Sequence, residues 1–516
     1  MRICTAILAV FALTLAGCGG NSTAVSNPLT PAITSQPAAQ SVTVGQTATF
    51  SVVASGTAPL SYQWQKGTAA IAGATSAGYI TPPTTLADSL SKFQVVVSNS
   101  AGSATSNQAV LTVNPIAGTT DVLTYHNDNA RTGQNLNETV LTSSNVNSTT
   151  FGKLAAYTLD GRVDAQPLYV SSVTIPGQGV HNLLIVPTEH NSVYAVDADP
   201  GTVIWQDSDA QNWGTALRRS RLWPSVSGDR SDQHAVIDRT HTLSPNGFVY
   251  AVAMSKDVSG TYFQRIHALD LARGTELMGG PTEIQATFPG TGDGTNGTDV
   301  VFAPGQYKER VGLLLLNGTV YLGWASHCDI RPYTGWIMGY NANTLAQTRV
   351  LNVVPNGSEG AIWMAGAGLA ADSSGNIYFL DANGDFDSNL TNGFPTTGNF
   401  GNAFLKLSTA SGLRVADYFE MDNQLQENST DQDLGSGGVP LLPDLSDGAN
   451  TMHLAVGAGK DTNIYVVNRD SMGKFNTSPN SNNVYQELPG ALPGGVWSMP
   501  AYFNNTPSTT PRTATF

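Results

Sequence analysis

The sequence predicts an all-β protein in which an N-terminal sandwich is followed by a ring of repeated sheets, and three observations lead to this prediction. The chain is rich in turn-forming residues, with 53 Gly and 27 Pro among 516 residues. Residues 31–113 alternate apolar and polar side chains with period two, which is typical of half-buried strands. Beyond residue 120, a strand–turn–strand motif recurs every 60–73 residues. Since no helix-period segment separates the copies, the repeat favours radially arranged four-stranded sheets, a β-propeller.

Composition and charge narrow the functional classes. Charged residues make up 12% of the chain, against roughly a quarter in an average globular protein. The 41% of hydrophobic residues supply material for cores and exclude generic disorder. A net charge of −14 argues against a general nucleic-acid binder. Three scattered cysteines, Cys4, Cys18 and Cys328, cannot form a disulfide framework or a four-cysteine zinc site.

Residues 1–17 have the pattern of a secretory signal peptide. One basic residue, Arg2, precedes an apolar run from Ile3 to Leu15 that is too short for a stable membrane span. Leu15-Ala16-Gly17-Cys18 resembles the lipobox of bacterial lipoproteins, which implies cleavage before Cys18 and acylation of that residue. Several acyl chains hold a protein on a membrane where one is marginal. We therefore expect a lipid anchor at Cys18, followed by a flexible polar tether over residues 18–30; an ordinary cleaved signal is the alternative.

Residues 31–115 show the short alternating runs of a β-sandwich. Tyr62-Gln-Trp64-Gln-Lys-Gly67 and the run Phe93-Gln-Val95-Val-Val97 resemble strands of bacterial immunoglobulin-like domains, with Trp64 in the place of the buried tryptophan. The disulfide cysteines of that family are absent, and Val52 and Val95 stand in their places. The resemblance implies a spacer module, while carbohydrate binding and adhesion remain open for it.

The repeat in residues 116–516 is clearest in its first two copies. Val193-Tyr-Ala-Val-Asp-Ala-Asp-Pro-Gly-Thr-Val-Ile-Trp205 recurs as Ile266-His-Ala-Leu-Asp-Leu-Ala-Arg-Gly-Thr-Glu-Leu-Met278, with the same spacing of Ala, Asp, Gly and Thr. Weaker copies contain Gly339, Lys406 and Val466. The Asp and Gly predict a tight turn in which the Gly has a positive φ angle. We expect Trp205 to pack between neighbouring blades.

The repeat resembles those of pyrroloquinoline-quinone (PQQ) type propellers, the quinoprotein alcohol dehydrogenase-like fold. Tyr125-His-Asn-Asp-Asn-Ala-Arg-Thr-Gly133 looks like the lead-in strand of that superfamily, and Trp497-Ser-Met-Pro-Ala-Tyr502 looks like the first strand of a sixth blade. Because the superfamily has seven or eight blades, the resemblance implies a propeller that is incomplete at its C-terminus.

The same resemblance implies a cofactor site that the sequence matches only in part. Quinone dehydrogenases of this superfamily hold PQQ between a tryptophan and a disulfide of adjacent cysteines, beside a calcium ion and an aspartate base. This chain has no adjacent cysteines. Carboxylates do occur where blades begin: Glu189 beside His190, Glu359 before Trp363, and Asp433. No spacing joins them into one calcium set, and capping of turns is the alternative role for each.

The segment from Trp324 to Trp336 is crowded with polar and aromatic residues, among them His327, Cys328 and Asp329. On an extended chain these three neighbours point alternately and cannot face one reacting atom. The segment therefore predicts a packed, hydrogen-bonded blade loop, with a ligand-contacting loop as the alternative.

Two other patterns give little support for a metal site. Asp385-Phe-Asp387-Ser-Asn389 begins like a calcium loop, but Leu390 stands where an EF-hand requires Gly, which leaves only a looser surface calcium site. His126, His267 and His453 occur singly in strand contexts, which favours structural roles over metal ligation.

These observations together predict a lipid-anchored protein of the bacterial cell envelope, on the outer membrane or the cell surface. Its propeller is expected to bind an envelope protein or a polysaccharide, without redox chemistry, a cofactor or a nucleic-acid partner. The alternative is a PQQ- and calcium-dependent dehydrogenase of alcohols or sugars. The candidate ligand-contacting residues are Glu189, His190, Trp324, His327, Asp329, Trp336, Glu359, Trp363 and Asp433.

Overall fold

The computed structural model describes residues 27–503, with gaps at 44–45, 83, 85–87, 89–90, 115–120, 137, 139–140, 142–144, 150, 154, 200, 209–234, 239–246, 258, 447–449, 477 and 479–480. The chain divides into two compact units between Ile116 and Ala117. The predicted signal peptide, Cys18 and most of the expected tether lie outside the described residues. Within the described part of the chain, no helix has the length and apolar character needed to cross a membrane.

The first unit is an immunoglobulin-like β-sandwich. Its strands are β1 (Ala32–Ser35), β2 (Gln40–Thr43), β3 (Thr49–Ser51), β4 (Val53–Ser55), β5 (Ser61–Lys66), β6 (Ala69–Ala70), β7 (Gly78–Ile80), β8 (Lys92–Asn99), β9 (Gly102–Thr105) and β10 (Ala109–Asn114). The larger sheet has the order β2-β10-β8-β5-β6, with β9 also pairing β8, and the pairs β1-β4 and β3-β7 complete the unit.

The core of the sandwich is built on Trp64, as the sequence predicts. Trp64 is fully buried, and its indole Nε1–H donates to the Ser76 carbonyl oxygen at 2.9 Å. Phe50 stacks on Phe93 with ring centroids 4.7 Å apart. The sequence has no cysteine between residues 19 and 327, and Val95 is buried instead at one of the two positions expected for the disulfide. Apolar packing thus fills the space that a disulfide occupies in related sandwiches.

The second unit is a β-propeller, of which five blades are described. Blade 1 is β11 (Leu168–Ile175), β12 (Gly179–Thr188), β13 (Ser192–Asp197) and β14 (Val203–Ser208). Blade 2 is β15 (Ala235–Asp238), β16 (Phe248–Lys256), β17 (Tyr262–Asp270) and β18 (Thr282–Glu283), followed by a hairpin of β19 (Thr287–Pro289) and β20 (Asp299–Val301). Blade 3 has an inner strand in two pieces, β21 (Tyr307–Glu309) and β22 (Leu314–Leu316), then β23 (Thr319–Ser326), β24 (Trp336–Asn341) and β25 (Gln347–Asn352).

Blades 4 and 5 carry the longer insertions. Blade 4 is β26 (Ala370–Ala371), β27 (Asn376–Leu380), β30 (Phe404–Ser408) and β31 (Arg414–Glu420), with a hairpin of β28 (Leu390–Thr391) and β29 (Phe394–Pro395) between its second and third strands. Blade 5 contains β34 (Leu454–Ala458), β35 (Ile464–Asn468) and β37 (Gln486–Leu488), and Leu441 bridges Ala455 on its inner side. Shorter elements are β32 (Leu445–Ser446), β33 (Thr451–Met452), β36 (Lys474–Phe475), an α-helix at Gln424–Ser429 and 3-10 turns at Met364–Gly366 and Leu434–Ser436.

The repeat predicted from the sequence marks the third strand of every described blade. Ala195, Ala268, Gly339, Lys406 and Val466 lie on β13, β17, β24, β30 and β35. All six residues of β13 are buried, because blades pack against one another through both faces of each sheet. Such strands have nearly continuous apolar sequences rather than strict alternation.

The turn after the third strand has the predicted geometry. In blade 2, Asp270 accepts the Gly274 N–H at 2.7 Å through its carbonyl and the Ala272 N–H at 2.9 Å through its carboxylate. Gly274 has a φ angle of 66°. A side chain there would also meet Trp205, since a Cβ atom would lie 2.4 Å from the indole. Trp205 of blade 1 donates to the Leu271 carbonyl at 3.0 Å, so it packs between two blades as predicted.

The predicted lead-in strand is instead an irregular segment that joins several blades. The Arg131 guanidinium is fully buried and donates to the Leu369 carbonyl at 2.8 Å and to the Leu313 carbonyl at 3.1 Å. Positive φ angles at residues such as His126 and Arg131 prevent the segment from being a strand. Burial lowers the pKa of Arg131 to about 10, so the side chain remains charged at neutral pH. The segment therefore connects inner strands of blades 3 and 4.

The expected first strand of a sixth blade is not formed by residues 497–502, which make no strand pairing. Tyr502 instead packs against the apolar face of blade 5, and its N–H donates to the Thr132 carbonyl at 2.8 Å. Trp497 is 61% exposed. The contact with Thr132 shows that this segment meets the lead-in rather than continuing the sheet pattern.

Candidate functional site

Antiparallel pairing sorts the connections of the propeller onto two faces. Connections from first to second and from third to fourth strands leave from one face, here called the turn face. Loops from second to third strands, and connections from one blade to the next, leave from the opposite face, here called the connection face. Glu189, His190, His327, Asp329, Glu359, Trp363 and Asp433 all lie in connections of the second kind. The candidate residues predicted from sequence are therefore concentrated on the connection face.

The structure brings five carboxylates of this face together. The acidic cluster consists of Asp293, Asp329, Glu359, Asp385 and Asp433, contributed by connections that follow strands of blades 2, 3 and 4. The charges of Asp329, Asp385 and Asp293 all act on the Glu359 carboxyl. Those of Asp329, Glu359 and Asp433 act on the Tyr333 hydroxyl. Three of the predicted residues, Asp329, Glu359 and Asp433, thus belong to one electrostatic group.

Close approach of the backbone positions Glu359 in this cluster. Its N–H donates to the Tyr333 carbonyl at 2.8 Å, and it bridges Thr334 on one side and Gly384 on the other. The next residue, Gly360, approaches its neighbours so closely that a Cβ on Gly384 would lie 2.4 Å from the Gly360 nitrogen. The contact needs glycine, and it holds the loops of blades 3 and 4 in register.

Two cations lie in the cluster, and both already have carboxylate partners. The Arg331 guanidinium donates to both oxygens of Asp293, from Nε at 2.7 Å and from Nη2 at 2.9 Å. Lys460 Nζ lies 2.7 Å from Asp431 and 2.6 Å from Asp433. These paired carboxylates hold the pKa of Arg331 above its ordinary value, and they do so for Lys460 despite its burial. The cluster therefore keeps an excess of negative charge.

Burial and repulsion from neighbouring acids raise the pKa values of two acids of the cluster, Glu359 and Asp433. Partial burial is the main cause of the raised pKa of Glu359, and the charge of Asp329 adds to it. Burial also raises the pKa of Asp433, although the hydrogen bond from Lys460 offsets part of the effect. Burial and a hydrogen bond donated to Asp329 raise the pKa of the Tyr333 hydroxyl. A cation placed near Glu359 would relieve both the repulsion and the burial cost.

A second group of carboxylates is buried beneath this face, and sequence reasoning missed it. Asp381 and Glu420 are fully buried at the ends of β27 and β31, and Glu427 lies nearby on the short helix. Neither side-chain oxygen of Glu420 has a hydrogen-bond partner. Burial raises the pKa of Glu420 well above its ordinary value, with help from the charges of Asp381 and Glu427, and it raises the pKa of Glu427 to about 8. Burial therefore favours the protonated, uncharged form of these carboxyl groups. The signal in the sequence was an acid directly after a buried strand end, as in Leu380-Asp381 and Phe419-Glu420.

The remaining predicted residues lie elsewhere. Glu189 has a nearly buried side chain 4.0 Å from Arg162 Nη1, and its N–H donates to the Arg162 carbonyl. His190 packs against Gly161, where a Cβ would lie 3.1 Å from the ring. No contact described in the structure joins either residue to the acidic cluster. Glu189 was expected at the start of a blade, but it lies in the loop between the second and third strands of blade 1.

Trp324 and Trp336 were predicted to contact a ligand, and the structure corrects this prediction. Both are fully buried and pair across β23 and β24. Trp324 Nε1–H donates to Gln264 at 2.8 Å, and Phe302 meets Trp336 edge to face at 5.9 Å. These rings form the core between blades 2 and 3. Trp363 is only partly buried, with the Arg310 guanidinium 5.5 Å from its ring centre.

The loop that contains His327, Cys328 and Asp329 is a turn rather than an extended segment. Cys328 and Asp329 have φ angles of 53° and 57°, and the Ile330 N–H returns to the His327 carbonyl at 3.2 Å. The expectation that the three side chains alternate was wrong, because it assumed extended backbone. The turn directs Asp329 to the Tyr333 hydroxyl and leaves Cys328 exposed. Asp293, Arg331, Tyr333 and Lys460 complete the site, and of these only Arg331 and Tyr333 lay in a segment that the sequence singled out.

Comparisons with known proteins give similarity at the level of fold. No protein-family model and no curated protein matches the chain. Among solved structures, a europium-containing methanol dehydrogenase matches 72% of this chain and 58% of its own length, with 15% identity and a TM-score of 0.46. A quinohemoprotein alcohol dehydrogenase from Comamonas testosteroni matches 72% of this chain and 50% of its own length, with 15% identity and a TM-score of 0.42. Over residues of the sandwich, a chimeric titin Z1Z2 matches 17% of this chain and 99% of its own, with 27% identity and a TM-score of 0.16.

The residues present do not fit the quinone site that the sequence resemblance implies. The one cysteine among the described residues, Cys328, is exposed on a turn and has no cysteine neighbour in the sequence. Trp324 and Trp336 are enclosed in the core, so neither offers a ring face to a cofactor. The chain has no counterpart of the disulfide, and no chemical step through a quinone is derived from this geometry.

Proposed function

We propose that this protein is a lipid-anchored protein of the cell envelope whose propeller binds a basic segment of a partner protein at the connection face. The observation that carries the proposal is the acidic cluster, in which five carboxylates converge and both nearby cations are already paired. Complementary charge steers association and selects partners. The net charge of −14 over the whole chain adds a long-range attraction for a basic partner.

A basic peptide is favoured over a polysaccharide by the chemistry of the cluster. Carboxylates with raised pKa values gain most from a ligand that carries positive charge. A neutral glycan would leave the repulsion between Glu359 and Asp329 in place. Binding to a polysaccharide is the competing outcome of the experiment below.

The experiment measures binding of a synthetic lysine-rich peptide to the purified chain by interferometry, with neutral dextran as the second probe. We expect peptide binding that weakens at least tenfold between 20 and 300 mM salt, as charge-driven association does. Glu359→Gln removes one charge without breaking a described hydrogen bond of the side chain, and it should weaken binding about threefold. The matched control is Asp199→Asn, an exposed carboxylate on the turn face, which should leave binding unchanged. Equal losses in both variants, or binding of dextran alone, would overturn the proposal.

The membrane anchor is a separate part of the proposal and rests on the sequence of residues 15–18. Metabolic labelling with a radioactive fatty acid should label the wild-type protein and not Cys18→Ser. The wild-type protein should also enter the detergent phase on phase separation, and the variant should remain in the aqueous phase. Labelling that persists in Cys18→Ser would contradict the anchor without affecting the binding site.

A further inference from the structure

Histidine–carboxylate pairs recur on the strands of the propeller. His181 Nδ1 lies 2.5 Å from Asp197, His267 Nδ1 lies 2.9 Å from Glu276, and His453 Nδ1 lies 2.9 Å from Asp470. Such pairs fix the orientation of the ring and are structural by themselves. The pair in blade 2 differs from the other two, because a third ligand group from another blade joins it.

The third group is Asp207 on β14, the outer strand of blade 1. Side chains two residues apart on a strand point to the same side, and Trp205 on that strand packs against blade 2 through Leu271. Asp207 therefore also faces blade 2. One ligand atom each from Asp207, His267 and Glu276 lies within 4.8 Å of the others, and within the described ranges no other set of three His, Cys, Asp or Glu side chains meets this spacing.

The site is mostly buried, and a backbone hydrogen bond holds one of its ligands in place. The side chains of His267 and Glu276 are 10% and 15% exposed. Glu276 uses its second oxygen to accept the Ala268 N–H at 2.9 Å, which holds the carboxylate in place. Supporting hydrogen bonds of this kind orient ligands in metal sites.

We propose that Asp207, His267 and Glu276 bind a divalent transition-metal ion, and that the ion joins blade 1 to blade 2. The chemistry of the three ligands favours Zn²⁺. Imidazole nitrogen with carboxylate oxygens suits Zn²⁺, whereas Ca²⁺ and Mg²⁺ prefer oxygen alone. Ligand atoms around one Zn²⁺ lie roughly 3.3 Å apart, so the three groups would draw together by up to about 1.5 Å on binding the ion. The site lies on the blade interface and does not depend on the proposed binding at the connection face.

The experiment uses the whole purified chain, stripped with EDTA and then incubated with Zn²⁺ and desalted. We expect about one zinc per chain by elemental analysis, and Co²⁺ should give the visible absorption bands of a low-symmetry nitrogen–oxygen site. Zn²⁺ should raise the thermal midpoint by about 2–4 °C, as a ligand specific to the native state does, and Ca²⁺ should not.

Variants separate this site from adventitious zinc. Asp207→Asn keeps the His267–Glu276 pair and the packing, so it should fold and bind Zn²⁺ at least tenfold more weakly. His453→Gln removes a histidine with carboxylates on both ring nitrogens that do not form a set of three with the required spacing, and it serves as the matched control with unchanged affinity. Equal zinc affinity in wild type and Asp207→Asn, or no binding by the wild type at 100 µM Zn²⁺, would overturn the proposal.

Discussion

The turn face and the connection face of the propeller lie at opposite ends of the same strands. The hydrogen bonds that stabilise the two faces join residues at very different separations along the sequence. On the turn face, Asp270 and Gly274 complete a turn by hydrogen bonds within five residues. On the connection face, Arg331 binds Asp293 across 38 residues, and Asn383 binds Asp433 across 50. Local sequence thus determines one face, whereas packing between blades determines the other.

This difference also separates the two faces in charge and burial. Turn-face acids such as Asp197 and Asp270 cap backbone N–H groups and need no neighbouring blade. Connection-face acids such as Asp433 and Glu359 lie among other acids, where burial raises their pKa values. The turn-face acids therefore stabilise the fold locally, whereas the connection face keeps unfavourable negative charge that a ligand can relieve. Four variants test this contrast, beginning with the largest expected effect.

The largest effect is expected on the turn face, at Gly274. Gly274→Ala should lower the free energy of unfolding by about 3 kcal/mol, because the methyl group meets the Trp205 ring and the backbone has a positive φ angle. Gly318→Ala is the matched control, with a φ angle of 72° and nothing within 4 Å of the new atom, and it should cost about 1 kcal/mol. Urea unfolding followed by tryptophan fluorescence measures both. Equal losses would mean that strain alone, and not contact between blades, makes glycine necessary.

Removing the buried acid Glu427 should stabilise the protein in a pH-dependent way. Its pKa is about 8 in the folded protein and 4.5 ordinarily, so between these values only the unfolded chain ionises. The free energy of unfolding therefore falls as pH rises from about 4.5 to 8. Glu427→Gln should be more stable than wild type by ~2 kcal/mol at pH 8 and equally stable at pH 4. Calorimetry at the two pH values provides the test, and a stabilisation that is the same at both would refute the assignment.

Ion pairs should matter more on the connection face than on the turn face. Lys460→Met leaves Asp433, whose side chain is 12% exposed, beside Asp431 without a cation. We expect a loss of about 1–2 kcal/mol at pH 7. Arg273→Met on the turn face removes a pair at 3.7 Å whose arginine is 55% exposed, and it should cost less than about 0.5 kcal/mol. Urea midpoints compare the two variants, and similar losses would show that burial of the pair is not decisive.

The smallest effect is expected at Asp387, where the sign of the pH dependence reverses. Partial burial acts to raise its pKa, but hydrogen bonds from Thr396, Asn389 and Thr397 outweigh this and hold the pKa well below the ordinary 3.8. Its contribution to stability is therefore present above pH 4 and is lost as the pH falls below that. Asp387→Asn should be slightly less stable than wild type at pH 6, and the difference should shrink progressively as the pH of the thermal melt falls below 4. A difference that persists in acid would assign the effect to packing.

The sequence was informative where structure is local and repeated. The positions of Ala195, Ala268 and their later counterparts identified the third strand of each blade, because a tight turn follows each one. Trp205 was placed between blades for the same reason. In the sandwich, Trp64 was recognised from a short strand pattern. Each of these predictions uses residues within about a dozen positions of one another.

The sequence was uninformative where residues meet across blades. Trp324 and Trp336 looked like ligand contacts, since an aromatic ring in a polar segment gives no sign that two blades enclose it. Glu189 and Glu359 were both expected where blades begin. Glu189 instead lies in a loop within blade 1 beside Arg162, whereas Glu359 lies in the connection from blade 3 to blade 4. Positive φ angles at Cys328 and Asp329, which are uncommon for such residues, reversed the directions that extended backbone would give. Lateral packing is a property of the whole ring and has no local signature.

The contacts of Arg131 have a consequence for the order of events during synthesis. The guanidinium binds carbonyl groups 182 and 238 residues further along the chain. While the ribosome is still translating the early blades, neither acceptor carbonyl has been synthesised, and the Arg131 guanidinium remains hydrated. The contacts between Arg131 and the inner strands can form only after the fourth blade has been made. Such contacts between residues far apart in the sequence raise the contact order and slow folding. A nascent chain released before the fourth blade is complete would lack these contacts of Arg131, and its strand edges would remain exposed.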